Sequence, residues 1–212
     1  MDPFLRNDQY NFIKAQTRIL INGHSTTNDK AVLRALKEIS KEKVLNLFMD
    51  MSDEQKNLIE PIHYIKDTSG EEEFLLQLKP YVIPFKEVTE QSLKKIFPKA
   101  KKLKLPPMEN IDLKEISYLS WDDKGSNKKY IITEQNNKLI GIQGTYTSLN
   151  QKGICTLCNR FEEVGMFLTE IKGSIQGTYT KRGNHICQDS QKCNQNISTL
   201  DKLNDFIMRL KG

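Results

Sequence analysis

The chain has 212 residues, 37% hydrophobic and 28% charged, with a formal net charge of +5, a size that holds one large or two small domains. No apolar run approaches the roughly 18 residues that span a bilayer, and the opening Met1-Asp2-Pro3-Phe4-Leu5-Arg6 has neither the basic nor the apolar stretch of a secretory leader. The expectation is therefore a soluble, cytoplasmic protein without membrane contact.

The first eighty residues read as helices. Phe12, Ile13, Ile19 and Leu20 recur at helical spacing, with Asn22-Gly23 as a stop. Thr27, Asn28 or Asp29 can cap a second helix with the stripe Val32, Leu33, Leu36 and Ile39. Ser40 offers a cap for a third, carrying Val44, Leu47, Phe48 and Met51. Ser52 and Gln55 match a capping box, in which each side chain satisfies an orphan amide of a helix start. Leu58, Ile59, Ile62 and Ile65 follow, with Pro61 as a kink. Ser69-Gly70 reads as a break before a short helix from Glu71 to Lys79, ended by Pro80. Short helices with short connections predict an antiparallel helical bundle over residues 1–82. His24, in an expected loop, and His63, beside Tyr64, lack a second ligand at i+4 and read as surface or packing histidines.

The remaining chain, 83–212, is predicted as a second, α/β domain, giving an α+β protein overall. A linking helix over Val88 to Phe97 has Thr89 as its cap. The run from Pro98 to Pro107 is rich in lysine; it either grips phosphates or an acidic protein, or forms a lysine-protected edge strand over Lys102, Leu103, Lys104 and Leu105. Trp121, the one tryptophan, is expected to anchor a core. Lys129 to Glu134 and Leu139 to Tyr146 are strand-like and joined by Asn136-Asn137, which predicts a hairpin. Charge is uneven along the chain. Residues 1–85 hold 11 Lys and Arg against 13 Asp and Glu, and residues 86–212 hold 21 against 14. The basic half attracts an acidic surface or RNA, or is simply solvated.

All four cysteines fall between residues 155 and 193: Cys155 and Cys158 as C-x-x-C, then Cys187 and Cys193. Reducing cytosol argues against disulfides. A C-x-x-C turn aims two thiolates at one ion, and a second pair completes a tetrahedron with no open position, which makes such a zinc structural. Four thiolates also accept iron. A redox role for Cys155 and Cys158 is the competing reading, but a thioredoxin-like motif needs a βαβ setting. Between the pairs, Glu163 to Ile171 and Ile175 to Thr180 read as a hairpin. Asp189 or Ser190 can cap a turn that presents Cys193, and Thr199 can cap a last helix carrying Leu200, Leu203, Phe206, Ile207 and Leu210. Knuckle, hairpin and helix start make a treble-clef-like zinc finger of four cysteines, with one structural Zn2+ on Cys155, Cys158, Cys187 and Cys193.

Taken together, the chain resembles the FusB-type fusidic-acid-resistance proteins, or elongation factor G-binding proteins. The resemblance runs nearly end to end. It rests on Gln9-Tyr10-Asn11-Phe12-Ile13, Asn28-Asp29-Lys30, Tyr81-Val82-Ile83-Pro84-Phe85, Lys101-Lys102-Leu103-Lys104-Leu105-Pro106 and Asn127-Lys128-Lys129-Tyr130-Ile131-Ile132. Its strongest segments are Gly153-Ile154-Cys155-Thr156-Leu157-Cys158 and Lys181-Arg182-Gly183-Asn184-His185-Ile186-Cys187-Gln188-Asp189-Ser190, followed by Cys193-Asn194.

The resemblance implies that the zinc module binds elongation factor G through that factor's C-terminal domains and promotes its release from the ribosome, which is met only indirectly. It implies a monomer with no small-molecule substrate, and partner contacts at Ile154, Arg182 and His185. Better-known members carry aromatic residues in place of Ile154 and His185. Each position also has a structural reading: Ile154 as a core strand residue, Arg182 as a solvated hairpin-tip charge, His185 as a group near the zinc thiolates. An RNA- or ribosome-binding zinc protein is the alternative function, although the chain has no RRM-type aromatic-basic motif. An enzyme is disfavoured: there is no phosphate loop, no recognisable nucleophile context and no open metal site.

Overall fold

The computed structural model describes residues 1–100, 102–123, 125–172 and 178–211. The chain divides into two compact units, Met1–Ile83 and Pro84–Gly212. No helix of the described residues is long and apolar enough to cross a membrane.

The first unit contains α1 (Asn7–Thr26), α2 (Lys30–Leu45), α3 (Asp53–Ile59) and α4 (Thr68–Leu78), with 3-10 turns at Glu60–Tyr64 and Lys79–Tyr81. Asn22-Gly23 does not stop the first helix. At Gly23 a Cβ would lie 2.6 Å from Leu36 Cδ1, so the missing side chain lets α2 pack close, which offsets the cost of about 1 kcal/mol for a helical glycine. His24 accordingly sits in the last turn of α1 and not in a loop. Asp29 caps α2, its Oδ1 accepting from the amides of Ala31 and Val32. Ser40 caps nothing: it is buried within α2, which continues to Leu45. The Ser52–Gln55 capping box forms as the sequence predicts. Pro61 turns the chain into 3-10 geometry at its second position.

Ser69 and Gly70 lie in the first turn of α4, where Gly70 donates to the capping carboxylate of Asp67 at 2.9 Å. Glu71 does more than face the helix dipole. It is buried and accepts from Thr17 Oγ1 at 2.6 Å. Leu5, Ile13, Leu20, Ile59, Ile62 and Leu78 lead the core of this unit. Its two ends are tied by a hydrogen bond from Ile83 N to Leu5 O, 2.7 Å.

The second unit opens with α5 (Glu90–Ile96), capped by Thr89. Five antiparallel strands follow in sequence order: β1 (Tyr118–Asp123), β2 (Lys128–Gln135), β3 (Lys138–Ile154), β4 (Phe161–Lys172) and β5 (Tyr179–Cys187). Two helices close the unit, α6 (Ser190–Asn196) and α7 (Asp201–Lys211). Asn136 and Asn137 make the two-residue β2–β3 turn with φ of 49° and 60°, the left-handed geometry that matches strand twist. The sheet carries a core on each face. Tyr118, Ile131, Ile142 and Phe167 pack with Leu203, Phe206, Ile207 and Leu210 of α7. Leu119, Tyr130 and Ile132 pack with Phe85, Val88, Leu93 and Phe97. Burial on both faces is why β2 reads as an apolar run and not as an alternation. Trp121 joins the second core, stacked on Tyr130 with 5.4 Å between ring centres.

Lys129, nominally a surface residue, is buried. Its Nζ lies 3.0 Å from Asp122 Oδ2 and 4.3 Å over the ring of Tyr146, so its charge is paired and not stranded. Burial, then the Asp122 carboxylate, pushes the Tyr146 hydroxyl up to about 12.

Two strand expectations need correction. Residues 102–105 form no edge strand: Leu103 and Leu105 pack, half-buried, against the second core in irregular chain. Pro106 and Pro107 follow at once, and neither could donate to a ladder. Lys101 lies outside the described residues. The second hairpin strand runs over Tyr179–Cys187, beyond the expected Ile175 to Thr180, of which residues 175–177 lie outside the described residues.

Candidate metal centre

Local chain geometry brings the four cysteines together. β3 ends at Ile154, and the chain reverses through Cys155–Cys158 into β4. The reversal is held by hydrogen bonds from Cys155 N to Arg160 O (3.0 Å) and from Asn159 N to Cys155 O (2.9 Å), with Asn159 at φ 55°. Thr156 N reaches across to His185 O at 2.9 Å, which fastens the knuckle to β5. Cys187 is the last residue of β5. The Asp189 carboxylate then caps α6, accepting from the amides of Gln191 and Lys192, and the first turn of α6 delivers Cys193.

The four sulfurs lie within 4.8 Å of one another, all buried. Cys155 and Cys193 approach to 3.8 Å, Cys158 and Cys187 to 3.6 Å, and none forms a disulfide. Cys155 Sγ accepts amide hydrogens from Leu157 (3.4 Å) and Cys187 (3.3 Å), the kind of bond that favours a thiolate. Hydrogen bonds from Cys158, Cys187 and Cys193 hold Cys155 far below the ordinary thiol range, while contact with Cys155 and Cys158 pushes Cys187 and Cys193 up. Four clustered sulfurs cannot all ionise without a cation among them. This donor set could hold one tetrahedral zinc with no open position. Tyr118 beneath it is fully buried, and desolvation, then the Cys193 sulfur, raises its hydroxyl well above its usual value.

Neighbouring groups fix the ligand-bearing elements. Asn194, buried on α6, donates from Nδ2 to the carbonyls of Tyr118 and Ser190, both at 3.0 Å. Its Oδ1 accepts from the amides of Ser117 (2.7 Å) and Tyr118 (3.1 Å). It therefore locks the helix carrying Cys193 to β1. On the outer side, Lys192 Nζ pairs with Glu162 at 2.6 Å, and Asn196 Nδ2 donates to the same carboxylate. Sequence reasoning gave neither Asn194 nor Glu162 a role, because their partners are distant in the chain.

The three expected partner-contact residues fall in different places. Ile154 is 55% exposed and stands directly opposite Phe161, itself 64% exposed, across β3 and β4. Half-buried His185 joins the same end through its carbonyl. Arg182 lies within β5 opposite Thr169, not at a hairpin tip, and its Nη1 donates to Arg209 O near the end of α7 at 3.3 Å. Residues three apart on a strand point to opposite faces, so β5 does not bring Arg182 and His185 together.

Residues 4–86 match the family model described as elongation factor G-binding protein, N-terminal, and residues 92–208 match that of the FBP C-terminal treble-clef zinc-finger. A solved structure of the fusidic acid resistance protein FusC is similar to the chain at 35% identity and a TM-score of 0.87, covering 98% of each chain. No curated protein matches in sequence. The treble-clef match and the gathered thiols together establish one structural zinc.

Proposed function

We propose, from the premise that the chain belongs to the FusB-type family of fusidic-acid-resistance proteins, that it binds elongation factor G through its zinc-bearing unit and promotes the factor's release from the ribosome, so protecting translation from fusidic acid. The observation that carries this reading is the similarity to FusC over 98% of both chains. In this reading Cys155, Cys158, Cys187 and Cys193 ligate the zinc, which supplies folding free energy and no chemistry. The protein works in the cytoplasm as a monomer, takes no small-molecule substrate, and makes and breaks no bonds.

The contact surface is the knuckle end, with Ile154 and Phe161 as an exposed apolar pair and His185 and Arg182 contributed by β5. Exposed aromatic and arginine side chains beside a rigid turn are favoured interface anchors. Its partner face is the C-terminal domains of the factor. Release requires differential binding, with the free conformation of the factor preferred over the ribosome-bound one. A tenfold shift takes about 1.4 kcal/mol of preference.

Titration calorimetry of the zinc-loaded protein against elongation factor G tests the reading, with Arg182→Ala alongside. Saturable one-to-one binding, weakened by the substitution, is expected. Absence of heat at tens of micromolar, with zinc content verified, would overturn it.

A further inference from the structure

A groove of about 550 Å3 lies in the second unit, away from the knuckle residues. Its floor is the stretch of β3 from Gly141 to Thr145 and of β4 from Leu168 to Glu170. Its rim carries Lys99, Lys128, Lys181, Lys211 and Tyr179. The four lysines come from separate parts of the chain: the segment after α5, the start of β2, β5, and the end of α7. Of the described lysines in the run at residues 99–104, Lys99 lines the groove. The fold, and not a local run of charge, assembles the cluster.

Among the described residues, Lys99, Lys128 and Lys211 form no ion pair. Glu170 is the carboxylate among the lining residues, and it faces Lys181 at 3.7 Å with both side chains mostly exposed, an arrangement that neutralises little. Tyr179 lines the groove with these cations and is 62% exposed.

We propose that this groove binds single-stranded RNA, with the lysines on successive phosphates and a base stacked on Tyr179. Lysines alone would suit any polyanion. An exposed ring set among them is the pairing that single-strand binding uses, charge for the backbone and a flat apolar face for the base. An acidic peptide has no use for that ring. The basic excess of residues 86–212 draws the same ligand toward this unit. The groove lies apart from Ile154 and Phe161 of the proposed elongation factor G surface but adjoins its Arg182, which follows Lys181 in β5 and stands opposite Thr169. Lys128 and Lys211 belong to the groove alone.

Fluorescence anisotropy of the zinc-loaded full chain with a labelled oligouridylate of about 12 nucleotides tests the proposal. Four phosphate contacts on a single strand predict a loss of affinity of about 50-fold between about 50 and about 200 mM KCl. Lys128→Glu with Lys211→Glu should halve the salt slope or do more, and the milder Lys128→Gln with Lys211→Gln should act in the same direction. Tyr179→Ala should weaken binding at least fivefold and leave the slope unchanged. Lys37→Glu, on α2, should change nothing.

The proposal falls if the RNA fails to bind at about 50 mM KCl, or if it binds with no response to the groove substitutions. It also falls if oligoglutamate competes as well as RNA and is insensitive to Tyr179→Ala, which would assign the groove to an acidic protein. Calorimetry of the same lysine variants against elongation factor G separates this outcome from the first reading, since that binding should be unaffected.

Discussion

Ile154 and Phe161 are the terminal register pair of β3 and β4, and they present two apolar side chains to solvent on either side of the cysteine knuckle. Directly opposed residues share a face of the sheet and interact as a unit. An apolar pair kept exposed on such a rigid turn suits recognition better than folding. Phe161→Ala is expected to weaken elongation factor G binding about tenfold or more, the loss of one aromatic anchor, with an unchanged melting temperature. Unchanged affinity, measured by calorimetry, would remove Phe161 from the contact surface.

Zinc removal should act on one unit only. The zinc end is built from a turn, a strand end and the first turn of a seven-residue helix, while binding energy at such sites is about 10 kcal/mol or more. The helical unit has its own core. Chelation, or Cys193→Ser, is expected to abolish the near-ultraviolet signal of the second unit while the helical far-ultraviolet signal largely survives. A single cooperative loss of both signals would contradict this.

Asn194→Ala leaves the amide and the carbonyl of Tyr118 without their side-chain partner at a buried junction, and removes the bond to the Ser117 amide. Each stranded group costs about 1–3 kcal/mol, so a loss of about 3 kcal/mol or more is expected, read as a lower denaturant midpoint for the second unit. Asn194→Asp keeps the acceptor and loses the donor, and should fall between. A ranking with Asp as the worse variant would mean that charge burial, not the lost acceptor, dominates.

The Glu162 carboxyl is held below its usual range by the Lys192 hydrogen bond first, with Asn196 assisting. A carboxyl depressed by folding contributes stability above its unfolded pKa, and that contribution is lost as pH falls through the folded value. Its own titration, followed by carboxyl 13C shifts, should have a midpoint below 4.5 and should move upward in Lys192→Ala. A midpoint indifferent to that substitution would show that the pair does not persist in solution.

What the sequence made legible was local. The Ser52–Gln55 box and the Thr89 cap are found as read, and Asp29 and Asp189 prove to be the caps among the adjacent candidates; all have partners within three residues. The cysteine pairs were legible because metal chemistry constrains spacing directly. Features that depend on a distant neighbour were not. Gly23 looks like a stop until Leu36 is known to lie against it. Ser40 looks like a cap until the helix is seen to bury it. Lys102 to Leu105 alternates as a strand would, yet its leucines pack in irregular chain. Asn194 has partners 76 residues upstream, and Phe161 gives no local sign that it will be left exposed.

The order in which the chain is made gives the cysteine spacing a further meaning. The bond from Ile83 to Leu5 is internal to the helical unit, so a nascent chain can complete that unit before any cysteine has been translated. The first knuckle thiol, Cys155, then precedes Cys193 by 38 residues, an interval of about 2–8 s at ordinary elongation rates. Closing the four-thiol set therefore waits until Cys193 has been made, and it depends on the zinc that is free from then on. In a metal-starved cell the product would be a finished helical unit trailing an open second half, so the yield of competent protein follows zinc supply as well as gene expression.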